Sequence, residues 1–313
     1  RFGLPPGWLE NTTGVRERRW ADPSVRPSDL AAAAGRRALA DAGLGAGDVD
    51  VVLFTGITRD FIEPATANAV ADAIGARDAR VFDVTNACNG MIDGLDVADS
   101  LLRTGKARRV LVTTGERASI SIDWHPRTLE EFKRAVAGLV VGDGGGALVV
   151  EGTDDPARGF REREYRSAPG HWRLAIGGLF RPTTQACEIC GSVVDLRFHC
   201  DGRELFAAGL QMMPPTMLAA MERTGWTYEE LTVVFCHEAS KRFVEIGMAE
   251  LGDGHHPGPR IWTAVERYGN TSTVSLPLQM SEARAAGVLA PGAKVLLLGG
   301  SSGISMAAVT MVW

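Results

Sequence analysis

The sequence predicts an α/β fold, a mainly parallel sheet covered by helices on both faces, with that unit present twice. Three observations predict it. Short apolar runs of strand length alternate with amphipathic helical patterns. The runs are continuously apolar rather than alternating, which marks strands buried on both faces. The back half also repeats the front. ALADAG (Ala38–Gly43) returns as AMERTG (Ala220–Gly225), and VVLFTG (Val51–Gly56) as VVFCHE (Val233–Glu238). RVFDVTNACNG (Arg80–Gly90) returns as RIWTAVERYGN (Arg260–Asn270), and RVLVTTG (Arg109–Gly115) as KVLLLGG (Lys294–Gly300). These blocks keep their order at displacements between 180 and 185 residues, the signature of a duplicated unit.

Taken in order, residues 1–27 read as loop. SDLAAAAGRRALADAG reads as a helix with Ser28 as N-cap and Gly43 as stop. DVVLFTG (Asp50–Gly56) is a buried strand, and RDFIEPATA (Arg59–Ala67) a polar turn opening a helix that runs to Gly75. Val81–Val84 ends the next strand, and from Cys88 a helical pattern follows through Met91, Leu95, Ala98 and Leu102. RRVLVTTGE (Arg108–Glu116) is a strand, and Gly142–Gly146 a turn between two apolar strands. Three segments are expected: 1–152, an irregular linker and loop region at 153–202, and 203–313. The last opens with a helix over Leu205–Met213, a second helix ending near Gly225, and the strand Leu231–Glu238.

Composition narrows the classes. The 313 residues, 45% hydrophobic and 23% charged, suit a soluble globular protein with a sizeable core. The net charge of −5 argues against a nucleic-acid partner, and no apolar run is long enough for a membrane span. An odd count of 5 cysteines fits a reducing cytoplasm better than a disulfide framework. The chain starts at Arg1 rather than Met, so a native N-terminal piece is expected to be missing.

The stretch VFDVTNACNGMIDG (Val81–Gly94) carries the chemistry. A thiol at a strand-to-helix junction lies near unpaired N–H groups and the positive end of the helix dipole, both of which favour thiolate. The bland alternative makes Cys88 a small buried hydrophobe. In the back half, His237 ends the strand TVVFCH, and Asn270 lies in the turn after the equivalent of the Cys88 strand. Alone, these read as a core histidine and an ordinary turn residue. At symmetric strand ends, the three compose acyl-transfer machinery: a cysteine nucleophile with two donors for a developing enolate oxygen.

NACNG, CHEAS, YGNTS, GDGGGA and GGSSG, in this order, resemble the thiolase superfamily, nearest its ketoacyl-ACP synthase III branch, over nearly the whole chain. The resemblance implies a duplicated five-layer αβαβα fold and a homodimer. It implies acylation of Cys88, with His237 and Asn270 binding the carbonyl of a second thioester, and an oxyanion hole from the backbone N–H groups of Cys88 and Ser301. Two departures stand out: the His-Gln-Ala-Asn of that branch is His237-Glu238-Ala239-Ser240, and its glycine triplet contains Ser301 and Ser302. Leu4–Trp20, Thr58–Ala67 and Leu296–Ser305 look like the OleA-type enzymes, which condense two acyl-CoA molecules head to head. In those enzymes a glutamate in the motif matching Glu63-Pro64-Ala65-Thr66-Ala67 is the base, reaching across the dimer interface. The chemistry agrees, because removing an α-proton needs a base that decarboxylation of a malonyl thioester does not. The alternative leaves Glu63 as an acid at a helix N-terminus.

Other expectations are lesser. Trp8 would stack on a CoA adenine as in synthase III enzymes, although the arginine accompanying it there is Thr12 here. Cys187, Cys190, His199 and Cys200 have a passing zinc look, but the adjacent ligands argue for loop or channel-wall cysteines and no metal. Cys236 alternates away from His237 into the core, and Gly142–Gly146 lacks the Lys-Ser/Thr of a phosphate loop. The expected function is a non-decarboxylative Claisen condensation fed by acyl-CoA or an acyl carrier, with no resident cofactor. The alternatives are decarboxylative synthesis from a malonyl thioester, acyl transfer to an alcohol or amine, and a non-catalytic partner subunit.

Overall fold

The structure, a computed structural model, describes residues 2–180, 194–249 and 261–313. The front half runs α1 (Trp8–Thr13), α2 (Pro27–Asp41), β1 (Val51–Phe54), α3 (Thr66–Ile74), β2 (Arg80–Asp83), α4 (Gly90–Arg103), β3 (Arg109–Glu116), α5 (Leu129–Ala135) and β4 (Gly144–Glu151). Then come β5 (Gly159–Ser167) and the short strands β6 (Ala175–Ile176), β7 (Leu179–Phe180), β8 (Val194–Asp195) and β9 (His199–Cys200). The back half runs α6 (Gly202–Thr224), β10 (Val233–Cys236), α7 (Lys241–Ala249), β11 (Ile261–Trp262), α8 (Val265–Tyr268), α9 (Ser275–Ala285), β12 (Lys294–Ser301) and β13 (Ser305–Val312).

The two main sheets repeat one topology. The first has order β2-β1-β3-β4, the second β11-β10-β12-β13-β5. In each, the first three strands are parallel and the fourth antiparallel. Alternation along the buried strands divides the layers. Val51 and Leu53 face one way, packing with Met91, Ile92 and Leu95 of α4 and with Val233, Phe235, Leu276, Met280 and Leu297 of the back half. Val52 and Phe54 face the other way, onto Ala31 and Leu39 of α2 and Val70 of α3. Val234, Leu296 and Leu298 pack on Met217 and Met221 of α6. Helices α4 and α9 thus lie between the sheets, with α2 and α3 outside one and α6 outside the other. This is the expected five-layer αβαβα arrangement.

Three local expectations are corrected. The N-cap of α2 is Arg26, with Pro27 at the first helical position, where its fixed φ and missing N–H cost nothing. Ser28 instead binds the Asp60 carboxylate through its N–H (3.0 Å) and Oγ (2.5 Å). The region 153–202, read as linker and loops, contains β5, which pairs with β13 at the sheet edge. Its sequence GFREREYRS hides this, because an edge strand keeps a charged exposed face. Helix α6 does not break into two at Pro214 and Pro215. Packing of Met217, Ala220 and Met221 against the second sheet holds it continuous through the lost N–H donors. Cys187 and Cys190 lie outside the described residues. Among the described residues no helix is long and apolar enough to cross a membrane.

The packing between sheets generates one prediction. Leu53→Ala or Leu297→Ala, each at a fully buried position, lowers unfolding free energy by about 2–5 kcal/mol. Leu218→Ala, on the exposed face of α6, shifts it by less than about 0.5 kcal/mol. Urea denaturation followed by circular dichroism reads both.

Candidate active site

Cys88 stands on the turn between β2 and α4, two residues before the helix begins. The turn is tight: Asn89 N–H donates to Asn86 O (3.0 Å) and Gly90 N–H to Ala87 O (3.0 Å), with Ala87 at φ 46°. Gly90 makes the close approach possible, since a Cβ there would lie 2.3 Å from the Thr55 carbonyl oxygen. Asn89 ties the turn to the other half, donating to Ser305 O (3.1 Å) and Oγ (3.0 Å). Ser305 Oγ lies 2.7 Å from Ser301 Oγ. Ser301, at the end of β12, is therefore fixed against the Cys88 turn.

Asn270 follows α8. Its N–H donates to Val140 O (2.8 Å), and its C=O accepts from Gly142 N–H (2.9 Å). The glycine-rich turn before β4 therefore holds Asn270 in place. Gly269 is required here: φ is 71°, and a Cβ would lie 2.4 Å from Val140 O. Asn270 Oδ1 accepts from Ser272 N–H (2.9 Å), which leaves its NH₂ as the group free to donate to a ligand. His237 sits just beyond β10, its N–H donating to Leu298 O (2.9 Å), with Ser275 Oγ 3.5 Å from Nδ1.

Cys88, His237, Asn270 and Ser301 line one cavity of about 190 Å³. Its remaining wall is mainly apolar, including Phe198, Leu205, Met213, Phe243 and Met306. Cys200 is a wall residue, as expected of a channel cysteine; Cys236, expected to turn fully into the core, packs there with Leu296 and also reaches the cavity. Among the described residues no group of His, Cys, Asp and Glu is arranged to hold a metal. Trp8 is elsewhere, in a ring cluster with Phe132 (5.8 Å), which also meets Phe2 (4.8 Å). Glu63 lies on the exposed turn before α3, outside the cavity of its own chain. That turn is anchored behind it, where Asp83 accepts from the N–H groups of Thr66 and Ala67 (2.9 Å each).

Burial dominates the electrostatics. It pushes the Cys88 thiol up to about 11, with Ser272 Oγ pulling the other way. The expected thiolate bias of the helix terminus is thus outweighed by burial. Burial pulls the His237 imidazole down to about 4, opposed by Glu238, the Ser272 backbone and Glu116. The pair therefore rests at neutral pH as thiol and neutral imidazole. Two buried acids were missed from the sequence as parts of this site. Glu116, at the end of β3, accepts from the N–H groups of Ile57 (2.9 Å) and Thr58 (3.1 Å) and from Thr273 Oγ1 (2.6 Å), which joins the halves beside Cys88. Glu238 Oε2 accepts from Ala264 N–H (2.8 Å), Val265 N–H (3.1 Å) and Gln279 Nε2 (2.7 Å). It braces the His237 strand against the helix that leads to Asn270. Ser240, the other departure, accepts from Phe243 N–H (3.1 Å) at the start of α7.

A depressed imidazole makes a signed prediction. The folded state binds the proton more weakly than the unfolded chain, so His237 contributes stability above pH 6.5 that is lost as pH falls towards 4. His237→Gln removes this slope, worth up to about 3 kcal/mol across that window. Urea unfolding of parent and variant at several pH values gives the difference, which separates His237 from Glu116 and Glu238, whose burial shifts run upward.

The comparisons with known proteins agree with this geometry. The N-terminal profile of 3-oxoacyl-[acyl-carrier-protein] synthase III matches residues 82–169, and its C-terminal profile residues 221–313. The beta-ketoacyl-[acyl-carrier-protein] synthase III of Roseiflexus castenholzii is 33% identical over 308 residues, covering 98% of this chain and 89% of that protein. The acyl-CoA:acyl-CoA alkyltransferase of Xanthomonas campestris is 30% identical over 324 residues, covering 100% and 90%. Solved structures of OleA from Xanthomonas campestris superpose with a TM-score of 0.88 at 29% identity, covering 100% and 88%. The beta-ketoacyl-ACP synthase III from Thermus thermophilus superposes with 0.86 at 31%, covering 100% and 92%. A duplicated five-layer fold, with cysteine, histidine and asparagine on one cavity, thus comes with full-length sequence similarity: the chain belongs to the 3-oxoacyl-ACP synthase III family of the thiolase superfamily and is an acyl-condensing acyltransferase of that type.

Proposed function

We propose that the reaction is a non-decarboxylative Claisen condensation of two acyl thioesters. Cys88 attacks the carbonyl carbon of an acyl-CoA, the C–S bond to CoA breaks, and the CoA thiol leaves. The NH₂ of Asn270 and the His237 imidazole hold the carbonyl oxygen of a second acyl thioester, which stabilises its enolate. A carboxylate removes the α-proton. The resulting carbanion attacks the acyl group on Cys88 and expels the sulfur, giving a 2-alkyl-3-ketoacyl thioester. The backbone N–H groups of Cys88 and Ser301 are assigned to the oxyanion of each tetrahedral intermediate.

The observation that carries this reading is the placement of Glu63. It stands on an exposed turn with Phe61 and Ile62, the latter 77% exposed, and that turn is pinned at its base by Asp83. Such a turn suits delivery of a carboxylate into the cavity of a second copy across a homodimer interface. Among the described residues Glu63 makes no ion pair within its own chain. CoA delivers the acyl groups in this reading, and the Trp8–Phe132 ring cluster offers a stacking surface for its adenine.

The decarboxylative reading has its own support in the synthase III relatives at 33% identity. The two separate cleanly. With acyl-CoA as sole substrate, the protein releases CoA and forms a 3-ketoacyl product, followed by thiol titration and mass spectrometry. A strict requirement for a malonyl thioester contradicts the proposal. Glu63→Gln slows condensation by about 10²–10⁴-fold, the usual contribution of a general base, while leaving CoA release in the first half-reaction intact.

A further inference from the structure

Ser272 is the one side chain, among the described residues, whose hydrogen bond ends on the Cys88 sulfur: its Oγ donates to Sγ at 3.6 Å. Among the described residues that hydroxyl has no other side-chain or backbone partner. Its backbone is in the left-handed region at φ 53°, uncommon for a residue with a Cβ. Conformations of that kind persist only where the surroundings over-determine them. The surroundings do so here. Asn270 Oδ1 accepts the Ser272 N–H at 2.9 Å, Val274 N–H closes the turn on Thr271 O at 3.0 Å, and the next side chain, Thr273, is anchored on the buried Glu116 at 2.6 Å. Ser272 is only 8% exposed, and it is absent from the residues lining the cavity. It therefore reaches the sulfur from within the wall, and a thioester entering through the cavity does not displace it.

We infer that Ser272 is a catalytic residue whose hydroxyl stabilises the Cys88 thiolate from behind the substrate cavity. A donor directed at sulfur favours the charged form. Beside a mainly apolar cavity wall, such a donor weighs more than it would in solution. The turn also explains why one loop carries two functions. Asn270 faces the second thioester, and the strained residue two positions on supports the nucleophile, so both donors are held by a single hydrogen-bonded turn. The inference rests on the reading of Cys88 as the acylated nucleophile.

The test uses the full chain and iodoacetamide. Ser272→Ala keeps the Cβ and the backbone conformation and removes only the hydroxyl, whereas Ser272→Gly also relieves the left-handed strain. The rate of Cys88 carboxamidomethylation, located by peptide mass mapping, is measured against pH for all three proteins, with melting curves alongside. Both variants are expected to react about tenfold more slowly than the parent at a given pH, with profiles displaced about one pH unit to the alkaline side. An alanine profile that coincides with the parent's overturns the inference. If the alanine variant does not fold, a coincident glycine profile overturns it in the same way. Normal alkylation of the parent without uptake of an acyl group from acyl-CoA strikes at the proposed function instead, and leaves the Ser272 assignment to stand or fall on the shift.

Discussion

The cavity depends on two turns from opposite halves of the chain meeting at the ends of parallel strands. One, Asn86–Gly90, carries the thiol; the other, Asn270–Ser275, carries the carboxamide and reaches both the thiol and the imidazole. Glu116 ties the second turn, through Thr273, to Ile57 and Thr58 of the front half, and Asn89 joins the first turn to Ser305. The Thr273–Glu116 bond is buried and the Asn89–Ser305 bond partly so, and Glu116 is a buried acid whose accepted bonds offset its loss of water. Without that join the two halves would bring their strand ends together loosely. A reaction centre that must hold three groups in register tolerates little looseness.

Much of the fold was legible in the sequence because duplication leaves two independent records of one unit. VVLF and VVFC are each too short to mean much, yet they became central strands of matching sheets, β1 and β10, with the same neighbours in the same order. The failures have physical causes. GFREREYRS became a strand because an edge strand requires one apolar face at most, and no helix or strand period exposes that in advance. The stretch read as two helices is one, because tertiary packing carries α6 through Pro214 and Pro215. Ser28 looked like a cap, but Pro27 sets the helix start two residues earlier, with Arg26 as the cap.

The candidate site divides the same way. Cys88, His237 and Asn270 were readable because they lie in the segments that follow three apolar strands, β2, β10 and β11, on one cavity. Glu116 was not, since it reads only as the last residue of the strand Arg108–Glu116; only the tertiary structure covers it completely and gives it partners from both halves. Ser272 was hidden for a different reason, because its role depends on a backbone angle that serine rarely adopts. The direction of the Cys88 shift was also unreadable. A helix N-terminus argues for thiolate, but the depth of burial that opposes it belongs to the assembled fold.

The proposed reaction requires the Cys88 sulfur to accept the acyl chain while His237 and Asn270 share its cavity. Intact-mass measurement of the protein after incubation with a single acyl-CoA, followed by peptide mapping, addresses this directly. A mass gain of one acyl group per chain is expected, located on the peptide that contains Cys88 and absent from Cys88→Ser. No gain, or a gain mapped to Cys200 or Cys236 on the same cavity wall, would contradict it.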